Sequence, residues 1–591
     1  MIVADYISKF FEINNIQNIF SITGGFAMFL NDSFGKNNYF NIYYQHHEQA
    51  CGYSAVGYSK ITNKPSIVCT TAGCAATNAI TPCLVAYQDS VPVIFISGQV
   101  KTFETTTIIN KNTENKIRHY SGADSEIINI VKPITKYAVE IYDYKQIPTI
   151  LEKALFEAIN GRLGPVWLSI PLDIQSMNLP DDLVINKIEN IKISKYNENI
   201  SKLYELLDNA KRPVIILGNG ITLSNSRNKF NEFIEKYKIP CVVTFMSTDI
   251  IEHDNNLYIG KVGILGNRAG NFCMQNSDLL ISLGCRMSQG IVGYNTKWLA
   301  REAKKVIIDI DSAELNKNNI DYELKINMDL NIFFDSFNKD YISYNEWIDK
   351  CLYWKNKWNN EMPINYLDDS NGVNPYYVLN KLYSLDYNNK ISIGSGGSIV
   401  TNLWHMVNIK KHDRFILSSQ GDMGFELPAS IGCQIANIDK KVICVVGDGS
   451  FQLNIQELQT IIQYKLPIKI LLFNNSSYGA IAITQKGFFN NKFGVDISSG
   501  ISFPNIEKIS NAYGIKYIKI ERNTDIQDKL NEFMEYNESI ICEVICCIQP
   551  RCPKLSAKKN EDGTFTNKPL EDLEPFLDRE DFEREMIVKV V

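Results

Sequence analysis

The run Val442-Ile443-Cys444-Val445-Val446 is apolar without a break and ends in Gly447-Asp448-Gly449-Ser450. A second apolar run, Ile468 to Phe473, follows and stops at Asn474-Asn475. Short apolar runs bounded by turn residues read as strands buried on both faces. Two of them joined by a helix-length segment form a crossover, which requires a parallel sheet covered by helices. The corner after the first strand has a chemistry of its own. Asp448 offers a carboxylate oxygen and Asn475 an amide oxygen to a hard cation such as Mg²⁺. The glycines let backbone N–H groups approach phosphate oxygens at the start of the following helix. Taken alone, Gly-Asp-Gly also marks any strand-to-turn junction, and an ordinary turn stays open on these residues.

The whole run from Gly447 to Leu458, closed by Asn474-Asn475, resembles the thiamine-diphosphate motif of the acetolactate synthase and pyruvate decarboxylase superfamily. The resemblance implies Mg²⁺ held by Asp448, the side chain of Asn475 and the backbone carbonyl of Ser477. It also implies cofactor contacts from Gly447, Gly449, Ser450, Tyr478, Gly479 and Ile481. Upstream, Gly421-Asp422-Met423-Gly424-Phe425-Glu426 resembles the loop in which a methionine props the cofactor in a bent shape, which points to Met423. Outside such a motif a lone methionine fills core space.

The first segment alternates helical and strand-like stretches: Val3 to Phe11, Ile16 to Ile22, Asn41 to Gln45, Ala50 to Lys60, Pro65 to Cys69 and Pro92 to Ser97. Such alternation implies a doubly wound parallel sheet. Glu48 falls at the C-terminal end of a strand, where open α/β sheets bind ligands, although a carboxylate at a helix start is also stabilised by the helix dipole. His47-Glu48-Gln49-Ala50, Thr71 to Asn78, Gln88 to Pro92 and Ser97 to Val100 resemble, in order, the pyrimidine-binding domain of the same superfamily. That resemblance implies that Glu48 meets the aminopyrimidine ring and promotes removal of the thiazolium proton, a role that burial would assist. It also implies Gln99 as a second catalytic residue and Gly25 and Asn78 as cofactor contacts. One departure stands out: many relatives read Gly-Pro-Gly-Ala-Thr-Asn where this chain has Gly73-Cys74-Ala75-Ala76-Thr77-Asn78.

At 591 residues the chain exceeds one core. The expected architecture is α/β with three domains, each a doubly wound parallel sheet flanked by helices. Residues 1–175 form the pyrimidine-binding domain, 195–340 a central domain, 372–549 the diphosphate and Mg²⁺ domain, and 550–591 a tail. Ser176 to Lys195 reads as a linker, and Asp340 to Asn371 as a helical linker crossing the surface. The central domain has no Gly-x-Gly-x-x-Gly, so the usual dinucleotide fold is not indicated. Its motifs around Gly263, Gly284-Cys285-Arg286 and Asp309-Ile310-Asp311 nevertheless resemble the flavin-binding domain of acetolactate synthases, which implies a structural FAD. A vestigial domain without ligand is the alternative.

The net charge of −6 argues against a general nucleic-acid binder, and no apolar run reaches the roughly 18–20 residues of a membrane span. With no basic-then-apolar leader, a cytoplasmic protein is expected. The 14 cysteines show no Cys-x-x-Cys spacing and read as reduced core thiols. No His-Glu-x-x-His motif suggests zinc.

After Asn475 the chain reads Ser476-Ser477-Tyr478-Gly479-Ala480-Ile481-Ala482-Ile483-Thr484-Gln485, without the tryptophan that helps acetolactate synthases select a keto-acid acceptor. This stretch and the tail Pro569-Leu570-Glu571-Asp572-Leu573 resemble acetolactate-synthase-like enzymes of surface-polysaccharide pathways. The resemblance implies decarboxylation of a 2-keto acid, pyruvate foremost, with transfer of the two-carbon unit to a carbonyl acceptor such as a nucleotide-linked keto-sugar. Lys486, Lys492, Arg551 and Lys554 are the nearest cations for its diphosphate, and the tail is expected to fold over the site. Family precedent implies a homodimer or dimer of dimers with sites at the interface. Acetolactate synthesis, simple decarboxylation and a non-catalytic scaffold are the other readings.

Overall fold

The computed structural model describes all residues except 181–182, 191–198 and 360. Eighteen of its strands form three six-stranded sheets, in which every neighbouring pair runs parallel. The first contains β1 (Asn18–Ser21), β2 (Asn41–Tyr44), β3 (Ser66–Thr70), β4 (Val93–Gln99), β5 (Tyr137–Glu140) and β6 (Val166–Pro171), in the order β2-β1-β3-β4-β6-β5. The central sheet contains β7 (Pro213–Leu217), β8 (Cys241–Val243), β9 (Tyr258–Lys261), β10 (Leu279–Leu283), β11 (Lys304–Asp309) and β12 (Leu324–Asn327), in the order β12-β11-β10-β7-β8-β9. The third contains β13 (Lys390–Gly394), β14 (Arg414–Leu417), β15 (Lys441–Gly447), β16 (Lys469–Asn474), β17 (Lys516–Ile520) and β18 (Ile540–Ile545), in the order β14-β13-β15-β16-β18-β17. The inner strands β3, β4, β6, β7, β10 and β13 are buried along their whole length because helices cover both faces of each sheet.

Counted from their own first strands, the first and third sheets share one order, so the third domain repeats the architecture of the first. The central sheet differs. Its order is that of dinucleotide-binding doubly wound sheets, in which the winding reverses between the first and fourth strands, here β7 and β10. The doubly wound sheet expected for this domain is thus present, in an order that the missing fingerprint did not indicate. What the chain lacks is the glycine fingerprint; strand order follows from the crossovers, and these leave no local signature.

Two further expectations change. The expected surface linker contains the helix Asn345–Lys357, whose Trp347, Cys351 and Trp354 are buried in the central-domain core. The tail also belongs to that domain: Leu570 and Phe582 join its core, and Asn271 and Arg268 donate to the carbonyls of Leu570 and Leu573. The start of the tail and the hairpin of β20 (Ala557–Lys559) and β21 (Phe565–Asn567) reach the third domain, where the Phe565 ring meets Phe488 edge-on at 5.3 Å. The linker expected over 176–195 and the start of the central domain at 195 lie partly outside the described residues. All 14 cysteines are free thiols; 11 are buried, whereas Cys74 is exposed and Cys547 and Cys552 are partly buried. No helix among the described residues is long and apolar enough to cross a membrane.

The first and third domains meet through the helices Glu48–Thr62 and Glu426–Ala436, which approach so closely that glycine is required on both. A Cβ on Gly57 would stand 2.3 Å from the Ala429 carbonyl oxygen, and one on Gly432 only 1.8 Å from that of Ser54. Both obstacles are backbone atoms, which cannot rotate away. Gly432→Ala is expected to cost about 1–3 kcal/mol, the range for overpacking a tight core. A clear fall in the thermal unfolding midpoint checks this; an unchanged midpoint would show that the helices can separate freely.

Candidate active site

Loops following β13, β14, β15, β16 and β18 open a cleft of about 320 Å³ at the C-terminal edge of the third sheet. Ligands bind at that edge in open α/β sheets. Met423, Gly447, Asp448, Gly449, Ser450, Asn475, Ser477, Tyr478, Gly479 and Ile481 all line it. Asp448 is only 3% exposed; its Oδ1 accepts from the Gly449 N–H at 2.8 Å, while its Oδ2 has no hydrogen-bond partner. Burial pushes this carboxyl up to about 6, against the pull of nearby backbone N–H groups. A buried carboxylate oxygen left unpaired is costly, and a bound cation would answer it. Asn475 accepts from the Ser477 N–H at 3.0 Å, which folds the loop around the same corner, and the Ser477 hydroxyl is also buried without a partner. At Gly449 a Cβ would come within 2.2 Å of the Tyr478 ring, so the corner requires glycine.

Glu426 was not foreseen from the sequence. Fully buried, it accepts from the Ser450 hydroxyl at 2.6 Å and from the Gly396 N–H at 2.9 Å. Ser450 in turn accepts from the Gly424 N–H at 2.8 Å. One carboxylate thus ties together the loops after β13, β14 and β15. Burial raises it to about 7, although the hydroxyl and N–H donors favour its charge. The Gly396-Gly397-Ser398 turn, which also lines the cleft, was missed as well. Its signal was present, because Ile391-Ser392-Ile393-Gly394 reads as a strand running into glycines.

The first-domain candidates lie elsewhere. Glu48 begins its helix directly beyond β2, is half-buried, and accepts from Asn78 Nδ2 at 2.9 Å. Gly25 and Asn78 are exposed. Gln99 is buried at the end of β4, where its amide donates to the Ser125 carbonyl and to Glu140 and its oxygen accepts from Val100. None of these four lines the cleft of their own chain, and the burial expected for Glu48 is not supplied by that chain.

A second cavity, of about 400 Å³, opens where the winding of the central sheet reverses, and all three domains contribute to its walls. Gly284, Arg286 and Asp309 line it. Gly263, at φ +104°, stands just behind, where a Cβ would meet the Gly290 carbonyl oxygen at 2.2 Å. Gly218 and Gly284 cross so closely that a Cβ on the former would lie 2.1 Å from the latter's oxygen. Arg286 Nη1 donates to the Gln88 carbonyl of the first domain at 3.1 Å. Burial raises Asp309 to about 6, while the Asp311 N–H, 2.9 Å away, pulls the other way. Gly421 borders both this cavity and the cleft.

Comparison with known proteins matches three families along the chain. Residues 1–121 match the thiamine pyrophosphate enzyme N-terminal TPP binding domain, 200–335 the central domain and 395–544 the C-terminal TPP binding domain. The chain is 31% identical to a probable acetolactate synthase large subunit of Methanococcus aeolicus, covering 91% of each chain. It is also 31% identical to the acetolactate synthase large subunit of Lactococcus lactis, over 90% of each. With the chloroplastic acetolactate synthase of Arabidopsis thaliana the identity is 28%, over 92% of this chain and 81% of the relative. Similarity through all three domains, joined to a buried carboxylate oxygen without a partner at the predicted motif, settles the family: the chain belongs to the thiamine-pyrophosphate-dependent enzymes of the acetolactate synthase type.

Proposed function

We propose that the protein decarboxylates a 2-keto acid, pyruvate foremost, and transfers the two-carbon unit to a carbonyl acceptor, using thiamine pyrophosphate and Mg²⁺. The observation that carries this is the partnerless Oδ2 of Asp448, buried beside Asn475 and Ser477 in the cleft. These residues fit the cation, and the Gly447-Asp448-Gly449-Ser450 corner fits a diphosphate approached by backbone N–H groups. Thiamine pyrophosphate supplies the carbon nucleophile and electron sink that decarboxylation of a 2-keto acid requires. Met423, packed against Gly396, supports the cofactor's rings, and apolar neighbours such as Ile399, Phe473 and Ile481 keep water from the reacting carbon. Glu48 holds and moves the proton at the pyrimidine ring. Because it does not line its own chain's cleft, a second copy of the chain brings it, and the working unit is a homodimer or a dimer of dimers.

The acceptor side is open. The helix Gly479–Phe489 presents Ala480 and Ile481 to the cleft, and its two phenylalanines sit at the far end. Loss of one large apolar contact weakens selection of a small keto acid by about 1–3 kcal/mol. A bulkier acceptor, a nucleotide-linked keto-sugar, follows from that room. Of the four candidate cations, Lys492 is paired with Asp496 at 2.8 Å and Lys554 with Glu574 at 2.9 Å. Lys486 and Arg551 make no ion pair among the described residues and are the better partners for a diphosphate. The names of the relatives favour a second reading, acetolactate synthesis, in which a second pyruvate is the acceptor. The cavity at the reversal point of the central sheet fits FAD, with Arg286 toward its phosphates or ring edge and Asp309 toward a ribose hydroxyl; a cytoplasmic location completes the reading.

Three outcomes check these assignments. Glu48→Gln is expected to retain calorimetric binding of thiamine pyrophosphate while CO₂ release from pyruvate falls by about 10²-fold or more. Asp448→Ala should lose Mg²⁺-dependent binding, and exchanging subunits between the two variants should restore activity; ordinary turnover by Glu48→Gln would remove it from the proton relay. Specificity constants measured with a nucleotide-linked 4-keto-sugar and with a second pyruvate decide between the acceptors, and clear preference for pyruvate returns the protein to acetolactate synthesis. Purified protein is expected to be yellow without consuming oxygen in proportion to product, whereas colourless protein that takes up no FAD would mark the central domain as vestigial.

A further inference from the structure

Between the central domain and the tail hairpin lies a third cavity, of about 250 Å³, used by neither the cleft nor the site at the reversal point. Tyr294, Trp298 and Phe565 give it aromatic walls, and Asn295 and Asn567 add amides. Tyr294 and Phe565 are 56% and 50% exposed although both are large rings. A planar heteroaromatic base finds here what bases need, ring faces to stack on and amides to read its edge.

The position of the cavity connects it to the chemistry in two independent ways. Gln549 lines the catalytic cleft and Leu555 lines this cavity, so only five residues lie between them, a reach of at most about 22 Å. Arg551 stands within that stretch. The next residue is fixed, because the Cys552 N–H donates to the Tyr376 hydroxyl at 3.0 Å. Nearby cations are engaged: Lys554 with Glu574 at 2.9 Å and, more loosely, Lys568 with Asp572 at 3.6 Å. Arg551 makes no ion pair among the described residues and is left for an external anion. Its guanidinium lies near enough to interact with the phenols of Tyr294, which lines this cavity, and of Tyr376, which follows cleft-lining Pro375. From the other side, Phe565 packs on Phe488, and the first turn of that same helix lines the cleft.

We propose that this cavity receives the nucleoside of a nucleoside-diphosphate-linked acceptor, with Arg551 on the diphosphate and the carbonyl-bearing sugar extending into the cleft. The proposal rests on the reading of a bulky acceptor given above and adds where its handle is held. An aromatic wall and a single fork of guanidinium donors account for recognition of both parts.

The test uses the full-length protein loaded with thiamine pyrophosphate and Mg²⁺. Cytidine, uridine, adenosine and guanosine diphosphates are titrated by calorimetry, with inorganic pyrophosphate as the comparison, and CO₂ release from pyruvate is measured in the same samples. At least one nucleoside diphosphate is expected to bind tenfold or more tightly than pyrophosphate. Phe565→Ala and Tyr294→Ala, both changes of exposed rings, should each weaken it at least tenfold and leave CO₂ release unchanged. Arg551→Ala should reduce affinity to that of the nucleoside alone. Absence of binding by all four, or binding indifferent to Phe565→Ala and Tyr294→Ala, overturns the subsite. Intact CO₂ release with no nucleotide binding overturns the subsite and leaves the donor chemistry standing; nucleotide binding without CO₂ release does the reverse.

Discussion

The contact between the helices Glu48–Thr62 and Glu426–Ala436 sets how the first domain meets the third, and with it the position of the cleft's loops. Each helix begins with a carboxylate. Glu426 gathers three loops of the cleft through Ser450 and Gly396, and Glu48 stands at the edge of the first sheet beside Asn78. Because Gly57 and Gly432 bring the two backbones together, neither helix can slide or roll without a clash, so both carboxylates are fixed by one close approach. Further ties reinforce it: Gln45 and the His46 N–H reach Glu457, and Asn454 joins Gln49 to the Gly424 carbonyl. The rigidity of the first domain against the third is therefore built from backbone contact and buried polar bonds as much as from apolar packing.

Much of this was legible in the residues. The buried strands around Gly447 and Asn475 are legible in their apolar runs, whereas the residue types at the corner between them also suit an ordinary turn, and only the resemblance of the whole run to a known motif pointed to a cation and an anion there. Glu426 was hidden because a glutamate at a helix start looks like any dipole-stabilised carboxylate, and its partners come from loops far along the chain. The helix Asn345–Lys357 was misplaced for a different reason. Trp347, Cys351, Trp354 and Trp358 recur at helical spacing and predict a buried stripe, but the surrounding lysines and asparagines pulled the reading toward the surface.

Strand order lay beyond the reach of periodicity. Equal alternation of strands and helices produced one order in the first and third sheets and a different one in the centre. The difference has a chemical result. In the central sheet the reversal of winding opens a crevice between the loops after β7 and β10, where Gly218 and Gly284 cross, and this crevice runs up to Gly421 of the catalytic domain. Two cavities thereby come to share a wall at Gly421, although the residues that build them are far apart in sequence.

The tail shows how buried charge can fix a segment that composition marks as polar. Glu585 accepts from Lys350, Lys357, Tyr353 and the Trp354 ring N–H; burial alone would raise its pKa, yet the two lysines hold it at about 2. Glu571, fully buried, is paired with Arg301 at 2.7 Å and with Gln275 at 2.6 Å. Breaking either set would leave a charge without water or partner, a loss of about 3–5 kcal/mol for a buried pair. The tail on either side of Glu571 is thus anchored to the central domain, and the hairpin that precedes it is held at its base by the pairing of β19 (Lys554–Leu555) with β22 (Leu573–Glu574). The position of Phe565 over the cleft-lining helix then depends on the packing of the central domain. The hairpin that carries Phe565 and the corner that carries Asp448 and Asn475 are in this way held by different domains.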